Sequence, residues 1–276
     1  MPAFICTACG MQFAPASEPP PACPICDDER QYVPPEGQTW ITPAELALKH
    51  HNGWRLLEPN LFAIVSLPQF AIGQRALLVR TPAGNILWDC LSLIDNATIE
   101  LINTLGGLAG IAISHPHYYA CMVEWSRAFG GVPIHLHVAD RQWIMRDDPA
   151  IKLWQGDRKE LLPGLTLICC GGHFPGGVVL HWAAGAGGRG ALLSGDIVQV
   201  VQDRKTVSFM RSFPNFIPIS APAVERIVTM LAPYAFEKIH GAFPGRTIAQ
   251  DGKGVMQRSA ERYLVWIRGD GSAELR

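Results

Sequence analysis

Ile111-Ala-Ile-Ser-His115-Pro-His117-Tyr118-Tyr119-Ala120 is the stretch that decides the fold of this chain. An apolar run ends there in two histidines that are one residue apart. An apolar run of this length between polar residues is typical of a buried strand. Two imidazole rings at the end of a strand can point into one loop-lined pocket, where their neutral nitrogens can bind zinc or iron. Paired histidines on loops are often only polar surface, so further ligands must decide between the two interpretations.

Three more candidate ligands follow this motif, each near the end of a predicted strand. His173 and Asp196 each come directly after a glycine, and His240 comes directly before one. Glycine allows the sharp turns that present a side chain to a metal without steric cost. Four strand ends that all deliver His or Asp predict one metal site.

In this order and spacing the residues resemble the metallo-β-lactamase superfamily. The motifs of that family are a His-x-His-x-Asp-His run, a Gly-His turn, a Gly-Asp pair and a final His. The resemblance covers about residues 54–267 and implies an αββα sandwich of the α/β class. The first-metal ligands that it implies are His115, His117 and His173. It also implies that Asp196 is the carboxylate that can bridge two metals, and that His240 binds the second metal.

The chain departs from the family pattern at Tyr119 and Ala120, where the family has Asp and His. A methyl group cannot bind a metal, and a phenol with a pKa near 10 is a poor zinc ligand at neutral pH. One carboxylate and a hydroxide would also compensate two divalent ions poorly in a buried pocket. We therefore predict a single metal, with Asp196 bound to it or to its water. His240 then supports the site, faces the substrate or adds a ligand.

The predicted reaction is hydrolysis of an ester, thioester, lactone or amide by metal-bound hydroxide, because three imidazoles bring the pKa of zinc-bound water to about 7. The candidate catalytic residues are Asp196 and His240 for proton transfer and Tyr119 as a hydrogen-bond donor to a developing oxyanion. Arg211 and Phe213, in the segment 209–218, are predicted to bind a small carboxylated substrate. The same segment could equally be a loop that only packs on the sandwich.

Two other functions remain open. Some members of the superfamily are persulfide dioxygenases with one iron ion, and His115, His173 and Asp196 could supply the facial ligand set of such a mononuclear iron oxidoreductase. Alternatively, the altered motif marks a catalytically lapsed protein that is stabilised by metal and serves in binding. The metal in this site is therefore predicted to be zinc or iron.

The first 36 residues predict a zinc ribbon. Cys6-Thr-Ala-Cys9 and Cys23-Pro-Ile-Cys26 are two matched pairs with 13 residues between them. Each pair can turn two thiolates toward one metal, and two pairs complete a tetrahedral structural zinc site. A segment this short and rich in proline needs the metal to hold it together. Redox-active dithiols are the less favoured interpretation.

The predicted domains are a zinc-ribbon-like domain over 1–36, a linker with a short helix over 37–53, and a metallo-β-lactamase-fold domain over 54–276. With 48% hydrophobic and 17% charged residues, the chain has ample material for a core without cross-links. Predicted helices are 42–51, 96–105, 120–129, 221–231 and 254–267, with another from about residue 139. Predicted strands are 61–66, 76–80, 86–90, 134–138, 165–170, 178–183 and 191–198. The segments 157–160 and 209–218 are predicted as loops.

Charge and hydropathy restrict the partners. The net charge of −1, without a block of like charges, argues against nucleic acid or an anionic membrane surface as the main partner. No apolar run approaches the length of about 18 residues that spans a bilayer, and the N-terminus lacks the pattern of a signal peptide. We expect a cytoplasmic protein with a small-molecule substrate. A protein partner at the ribbon and a homodimer stay open.

Overall fold

The computed structural model describes residues 1–269, so the last seven residues of the predicted domain 54–276 lie outside the described part. The chain divides into two compact units, Met1–Trp154 and Gln155–Arg276. Within residues 1–269, no helix is both long enough and apolar enough to cross a membrane.

The first unit contains a small two-stranded sheet and a large seven-stranded sheet. Its strands are β1 (Ile5–Cys6), β2 (Trp40–Ile41), β3 (His51–Glu58), β4 (Leu61–Leu67), β5 (Arg75–Thr81), β6 (Gly84–Trp88), β7 (Gly110–Ala112), β8 (Ile134–His137) and β9 (Ile151–Trp154). Its α-helices are α1 (Pro43–Lys49), α2 (Asn96–Thr104) and α3 (Met122–Ala128), with 3-10 helices at Pro116–Tyr118 and Val138–Trp143. Strands β1 and β2 pair with each other, and β3 to β9 form the large sheet in sequence order.

The large sheet changes direction at β6. Strands β3 to β6 are antiparallel, whereas β6 to β9 are parallel. Parallel neighbours need a crossover between them, and α2 and α3 lie in the first two of these connections. The carboxyl ends of parallel strands meet at one edge, which is where α/β proteins place ligand-binding residues. The His-x-His motif follows β7 at this edge.

The second unit contains a six-stranded sheet and two short two-stranded sheets. Its strands are β10 (Arg158–Leu162), β11 (Leu165–Cys169), β12 (Val178–Trp182), β13 (Ala191–Gly195), β14 (Gln199–Val200), β15 (Val207–Ser208), β16 (Met210–Ser212), β17 (Ile217–Pro218), β18 (Lys238–Gly241) and β19 (Thr247–Ile248). Its helices are α4 (Gly185–Gly188), α5 (Ala221–Leu231) and α6 (Gly252–Arg268). The sheet order is β10-β11-β12-β13-β18-β19, while β14 pairs with β15 and β16 pairs with β17.

Helix α5 buries Val224, Ile227 and Leu231 in the core of the second unit. Each buried side chain of this size contributes about 1.5–3 kcal/mol through the apolar surface it removes from water. The helix connects the parallel neighbours β13 and β18. This crossover brings the ends of β13 and β18 side by side, which places Asp196 just after one strand and His240 within the other.

Most predicted elements are present, and the differences have physical reasons. The prediction of a loop over 157–160 is wrong, because most of this segment lies in β10. This strand is at the edge of its sheet, where charged side chains are common. The predicted loop 209–218 contains the short hairpin β16–β17. The first helix ends at Lys49 rather than at His51, which already begins β3. The helix predicted from about residue 139 is a 3-10 helix, and the one predicted from 120 begins at Met122.

Candidate metal centres

Four of the predicted ligands form one cluster. The ligand atoms of His115, His117, His173 and Asp196 all lie within 4.8 Å of one another, and all four residues are buried. We call these four residues the histidine centre. Three imidazoles and one carboxylate are a donor set that suits zinc or iron.

A network after β7 positions the first two histidines. The Asp89 carboxylate accepts a 2.7 Å hydrogen bond from the backbone N–H of Ser114, and the Ser114 hydroxyl lies 2.9 Å from Nδ1 of His115. Pro116 then opens a 3-10 helix, and the ring centroids of His115 and His117 are 5.0 Å apart. Hydrogen bonds to one ring nitrogen fix the orientation of the ring and leave the other nitrogen for a metal.

Turns of the second unit position the other two ligands. The turn before His173 contains Gly171 and Gly172, whose φ values of +70° and +87° favour glycine. Nδ1 of His173 lies 3.1 Å from the backbone carbonyl oxygen of Met210, an acceptor that makes Nδ1 the protonated nitrogen. Asp196 follows Gly195, which has a φ of +51°.

His240 does not belong to this cluster of four. It is buried on β18, and its Nδ1 lies 3.3 Å from the Thr247 hydroxyl on the paired strand β19. The three roles predicted for His240, which are support of the site, contact with the substrate and binding of the metal as an extra ligand, stay predictions.

Tyr119 and Ala120, which lie where the resemblance predicts Asp and His, are both buried. Tyr119 is 1% exposed, and burial, together with the Asp140 carboxylate, raises the pKa of its phenol well above the usual value. The phenol therefore stays protonated and can donate a hydrogen bond but cannot act as a base. Ala120 has a φ of +41°, which a residue with a side chain rarely adopts.

Arg211 and Phe213 lie on the hairpin β16–β17 and are exposed. Phe213 is 58% exposed and Phe216, in the same hairpin, is 82% exposed. Because Met210 begins this hairpin and its carbonyl oxygen contacts His173, the hairpin is connected directly to the histidine centre.

The four cysteines of the first 36 residues form a second cluster, which we call the cysteine centre. Their sulfur atoms all lie within 4.8 Å of one another, with Sγ–Sγ distances of 3.5 Å for Cys6–Cys26 and 3.6 Å for Cys9–Cys23. A tetrahedral zinc site with Zn–S bonds of about 2.3 Å places its sulfurs about 3.8 Å apart. Hydrogen bonds from Cys23 and Cys26 lower the pKa of Cys6, whereas burial raises the pKa of Cys9 and the hydrogen bond with Cys23 raises the pKa of Cys26. A bound metal would favour the thiolate form of all four cysteines.

Three other histidines, His135, His137 and His181, have different surroundings. His135 and His137 are half-buried on β8, where they alternate with the buried Ile134 and Leu136. Nε2 of His181 lies 2.8 Å from the carbonyl oxygen of Ala235, and burial lowers the pKa of this histidine.

Sequence reasoning missed Asp89 and Ser114, which hold His115. Asp89 directly follows the apolar run of β6, and this position at a strand end could have identified it. Its left-handed backbone, with a φ of +60°, also marks a special position. Ser114 directly precedes His115, but no comparable pattern in the sequence indicates that its hydroxyl contacts the His115 ring.

Comparison with known proteins separates family from fold. No family model matches the chain. The uncharacterized protein YmaE of Bacillus subtilis (strain 168) is 45% identical over 272 residues, which cover 98% of this chain and 98% of that protein. The solved metallo-β-lactamase DIM-1 matches with a TM-score of 0.58 at 14% identity, covering 77% of this chain and 98% of that chain. SMB-1, another metallo-β-lactamase, matches with a TM-score of 0.52 at 13% identity, covering 76% and 94%.

The identities of 14% and 13% to the two solved structures carry information on the fold alone. The predicted α/β class and metallo-β-lactamase fold are confirmed, and the cysteine centre is compatible with the predicted zinc ribbon. The chain has the metallo-β-lactamase fold and belongs to the family of the Bacillus subtilis protein YmaE.

Proposed function

We propose that this protein is a metal-dependent hydrolase with one catalytic metal ion, zinc, which cleaves an ester, thioester, lactone or amide bond in a small molecule. The observation that carries this proposal is the histidine centre, whose four buried ligand atoms lie within 4.8 Å of one another. Zinc bonds of about 2.0–2.2 Å to nitrogen and oxygen place ligand atoms about 3–4 Å apart, so the donor set fits one ion.

A zinc ion in this centre would lower the pKa of a water molecule to about 7 and polarise the carbonyl oxygen of the substrate. Ser114 and Met210 hold the rings of His115 and His173 through their Nδ1 atoms, which leaves the Nε2 atoms for the metal. The Asp196 carboxylate would bind the metal or its water, and it is the first candidate for taking up a proton and passing it to the leaving group. His240 is the second candidate for moving that proton.

Tyr119 supplies a hydrogen-bond donor in this scheme. Its phenol stays protonated because burial raises its pKa, and a protonated phenol can stabilise the negative charge that develops on the substrate oxygen. A donor that is already held in place needs little energy to reorient at the moment of reaction.

The hairpin β16–β17 is the proposed substrate-binding element. It exposes Phe213 and Phe216 beside Arg211, which combines apolar surface with one positive charge. Contiguous exposed apolar surface often marks a binding site, and a guanidinium binds carboxylates in a bidentate manner. This combination suits a small organic substrate that carries a carboxylate.

The same surroundings support the proposal of a single catalytic metal. Tyr119 and Ala120 replace two ligands of the family's second metal, and Ala120 offers no ligand atom. Among residues 1–269, the groups of three or more His, Cys, Asp or Glu that fit one ion are the histidine centre and the cysteine centre. We therefore expect two metal ions per chain, one of them catalytic.

One observation favours the iron oxidoreductase as a second candidate. Asp196 belongs to the histidine centre, so His115, His173 and Asp196 provide the two histidines and one carboxylate of a mononuclear iron site. Iron as the tightly held metal, with oxygen consumption in the presence of a persulfide, would favour this function. Absence of both activities in the metal-loaded protein would favour the lapsed binding protein.

The test is hydrolysis by the zinc-loaded protein of a substrate panel that covers the four bond classes. We expect His173→Ala to lose about a hundredfold or more in kcat/KM, because the metal contributes several kcal/mol to transition-state stabilisation. His137→Ala, a half-buried histidine outside the histidine centre, is the matched control and should keep the wild-type rate. Equal rates for His173→Ala and wild type would overturn the proposal.

The proposal includes a cytoplasmic location and a small-molecule substrate. The net charge of −1 supports a partner that is neither nucleic acid nor an anionic membrane surface. A protein partner at the ribbon and a homodimer stay predictions.

A further inference from the structure

The zinc ribbon packs on the segment that carries the His-x-His motif. The backbone N–H of Gln12 donates a 3.2 Å hydrogen bond to the carbonyl oxygen of Ala120. Ala120 lies three residues after His117, at one of the two positions where the family resemblance places a ligand of a second metal. A ribbon residue thus holds the backbone at the point where this chain has lost a metal ligand.

Ala120 needs such support. A φ of +41° costs a residue with a side chain about 1 kcal/mol or more, and it persists only where the surroundings fix it. On its C-terminal side, the Cys121 thiol donates to the carbonyl oxygen of Ser92 at 2.9 Å. The Ser92 hydroxyl in turn donates to the carbonyl oxygen of Gly10 at 2.7 Å. Two ribbon residues, Gly10 and Gln12, therefore hold the segment from both sides.

A buried charge fixes Gln12 itself. The Arg146 guanidinium, 6% exposed, donates to the Gln12 side-chain oxygen and to the Glu124 carboxylate, the latter at 2.6 Å. Glu124 lies on α3, the helix that follows Ala120. A buried guanidinium must keep its partners, because an unpaired buried charge is strongly unfavourable. Arg146 therefore connects the ribbon, through Gln12, to the helix on the far side of the motif.

We propose that Gln12 is a positioning residue of the histidine centre, through which the zinc ribbon fixes the segment that presents His115 and His117. In this arrangement the ribbon holds the backbone that a second metal would hold if Tyr119 and Ala120 were ligands. The inference rests on the proposed function for the metal at the histidine centre, and it assigns the ribbon a role in that centre.

The experiment measures metal binding rather than turnover. With Zn²⁺ in the cysteine centre, the histidine centre is titrated with Co²⁺ against a competing chelator, and its visible absorption is recorded. We expect Gln12→Ala to bind Co²⁺ about tenfold more weakly, with a changed absorption spectrum, as when groups that hold metal ligands are removed. Unchanged affinity together with an unchanged spectrum would overturn the proposal.

Two matched variants separate positioning from general stability. Gln12→Glu keeps an oxygen acceptor for Arg146 and replaces only the amide nitrogen, which has no hydrogen-bond partner, so it should bind Co²⁺ like wild type. Arg127→Gln breaks the 2.8 Å ion pair between α3 and Asp148, which includes neither Gln12 nor Arg146, and should also bind like wild type. Weak binding by Gln12→Glu or Arg127→Gln, equal to that of Gln12→Ala, would contradict the role of Gln12.

Two further outcomes complete the test. If Gln12→Ala does not fold, Glu124→Ala removes the other partner of Arg146 and should weaken Co²⁺ binding severalfold, whereas wild-type binding by that variant overturns the proposal. The proposed function fails separately: wild type would then hydrolyse none of the substrates while the Gln12 variants still differed in Co²⁺ affinity.

Discussion

At the scale of single residues, the ribbon depends on the close approach of its backbone to the rest of the first unit. Gly10 has a φ of +82°, and a β-carbon there would lie 2.4 Å from the Ser92 hydroxyl oxygen. Glycine is therefore required at this position for two reasons, the backbone conformation and the absence of space. The Ser92 hydroxyl that would be displaced is the donor to the Gly10 carbonyl oxygen.

We expect Gly10→Ala to lower the free energy of unfolding by about 2–3 kcal/mol, from about 1 kcal/mol for the left-handed backbone and the rest for the steric conflict. Gly37→Ala is the matched control, because Gly37 also has a φ of +82° but nothing lies within 4 Å of its added β-carbon. It should lose about 1 kcal/mol. Urea unfolding of the zinc-loaded protein measures both values, and equal losses would contradict the proposed contact.

At the scale of elements, sequence patterns located most helices and strands. The helix predicted from residue 42 is present as α1, because the reciprocal hydrogen bonds of its capping box, Thr42 and Glu45, form locally. β10 was missed because its charged residues lie at a sheet edge, where the usual alternation of apolar and polar residues is weak. β3 was missed because only Glu58 of its residues is fully buried. Elements whose burial is set by distant partners are those that local patterns cannot identify.

Helix α2 depends on one carboxylate. Asp95 accepts hydrogen bonds from the backbone N–H groups of Thr98 at 2.8 Å and Asn52 at 2.7 Å. Burial alone would raise the pKa of Asp95, but the hydrogen bonds from Thr98 and Asn52 outweigh it and lower the pKa. A lowered pKa in the folded state means that this carboxylate stabilises the fold above the unfolded-state pKa of about 3.9 and loses that effect as the pH falls through the lower folded value.

We expect Asp95→Ala to lower the free energy of unfolding at pH 7 by about 1 kcal/mol, the usual cost of a lost N-terminal cap. The difference from wild type should shrink below about pH 4, because wild type then loses the same contribution. Glu100→Ala, an exposed acid on the same helix, should change stability by less than about 0.5 kcal/mol. A difference for Asp95→Ala that does not vary between pH 7 and pH 2.5 would contradict this role.

At the scale of the whole molecule, the sequence identified the candidate ligands but not the residues that hold them. His115, His117, His173 and Asp196 were found because each lies at a strand end in a recognisable motif. The role of Gln12 could not be found in this way, since its partner Arg146 is 134 residues away and neither residue belongs to a motif. The ribbon therefore looked separate in sequence, although it packs on the motif in space.

The number of metal ions per chain tests the central claim, one catalytic metal beside one structural zinc, most directly. Mass spectrometry of the native protein should find two ions per chain, one of which is lost in Cys23→Ser/Cys26→Ser and the other in His115→Ala/His173→Ala. Three ions in the intact protein would show that a second catalytic metal binds despite Tyr119 and Ala120. One ion that disappears with the cysteines would show that the histidine centre binds no metal, which would contradict the proposed hydrolase.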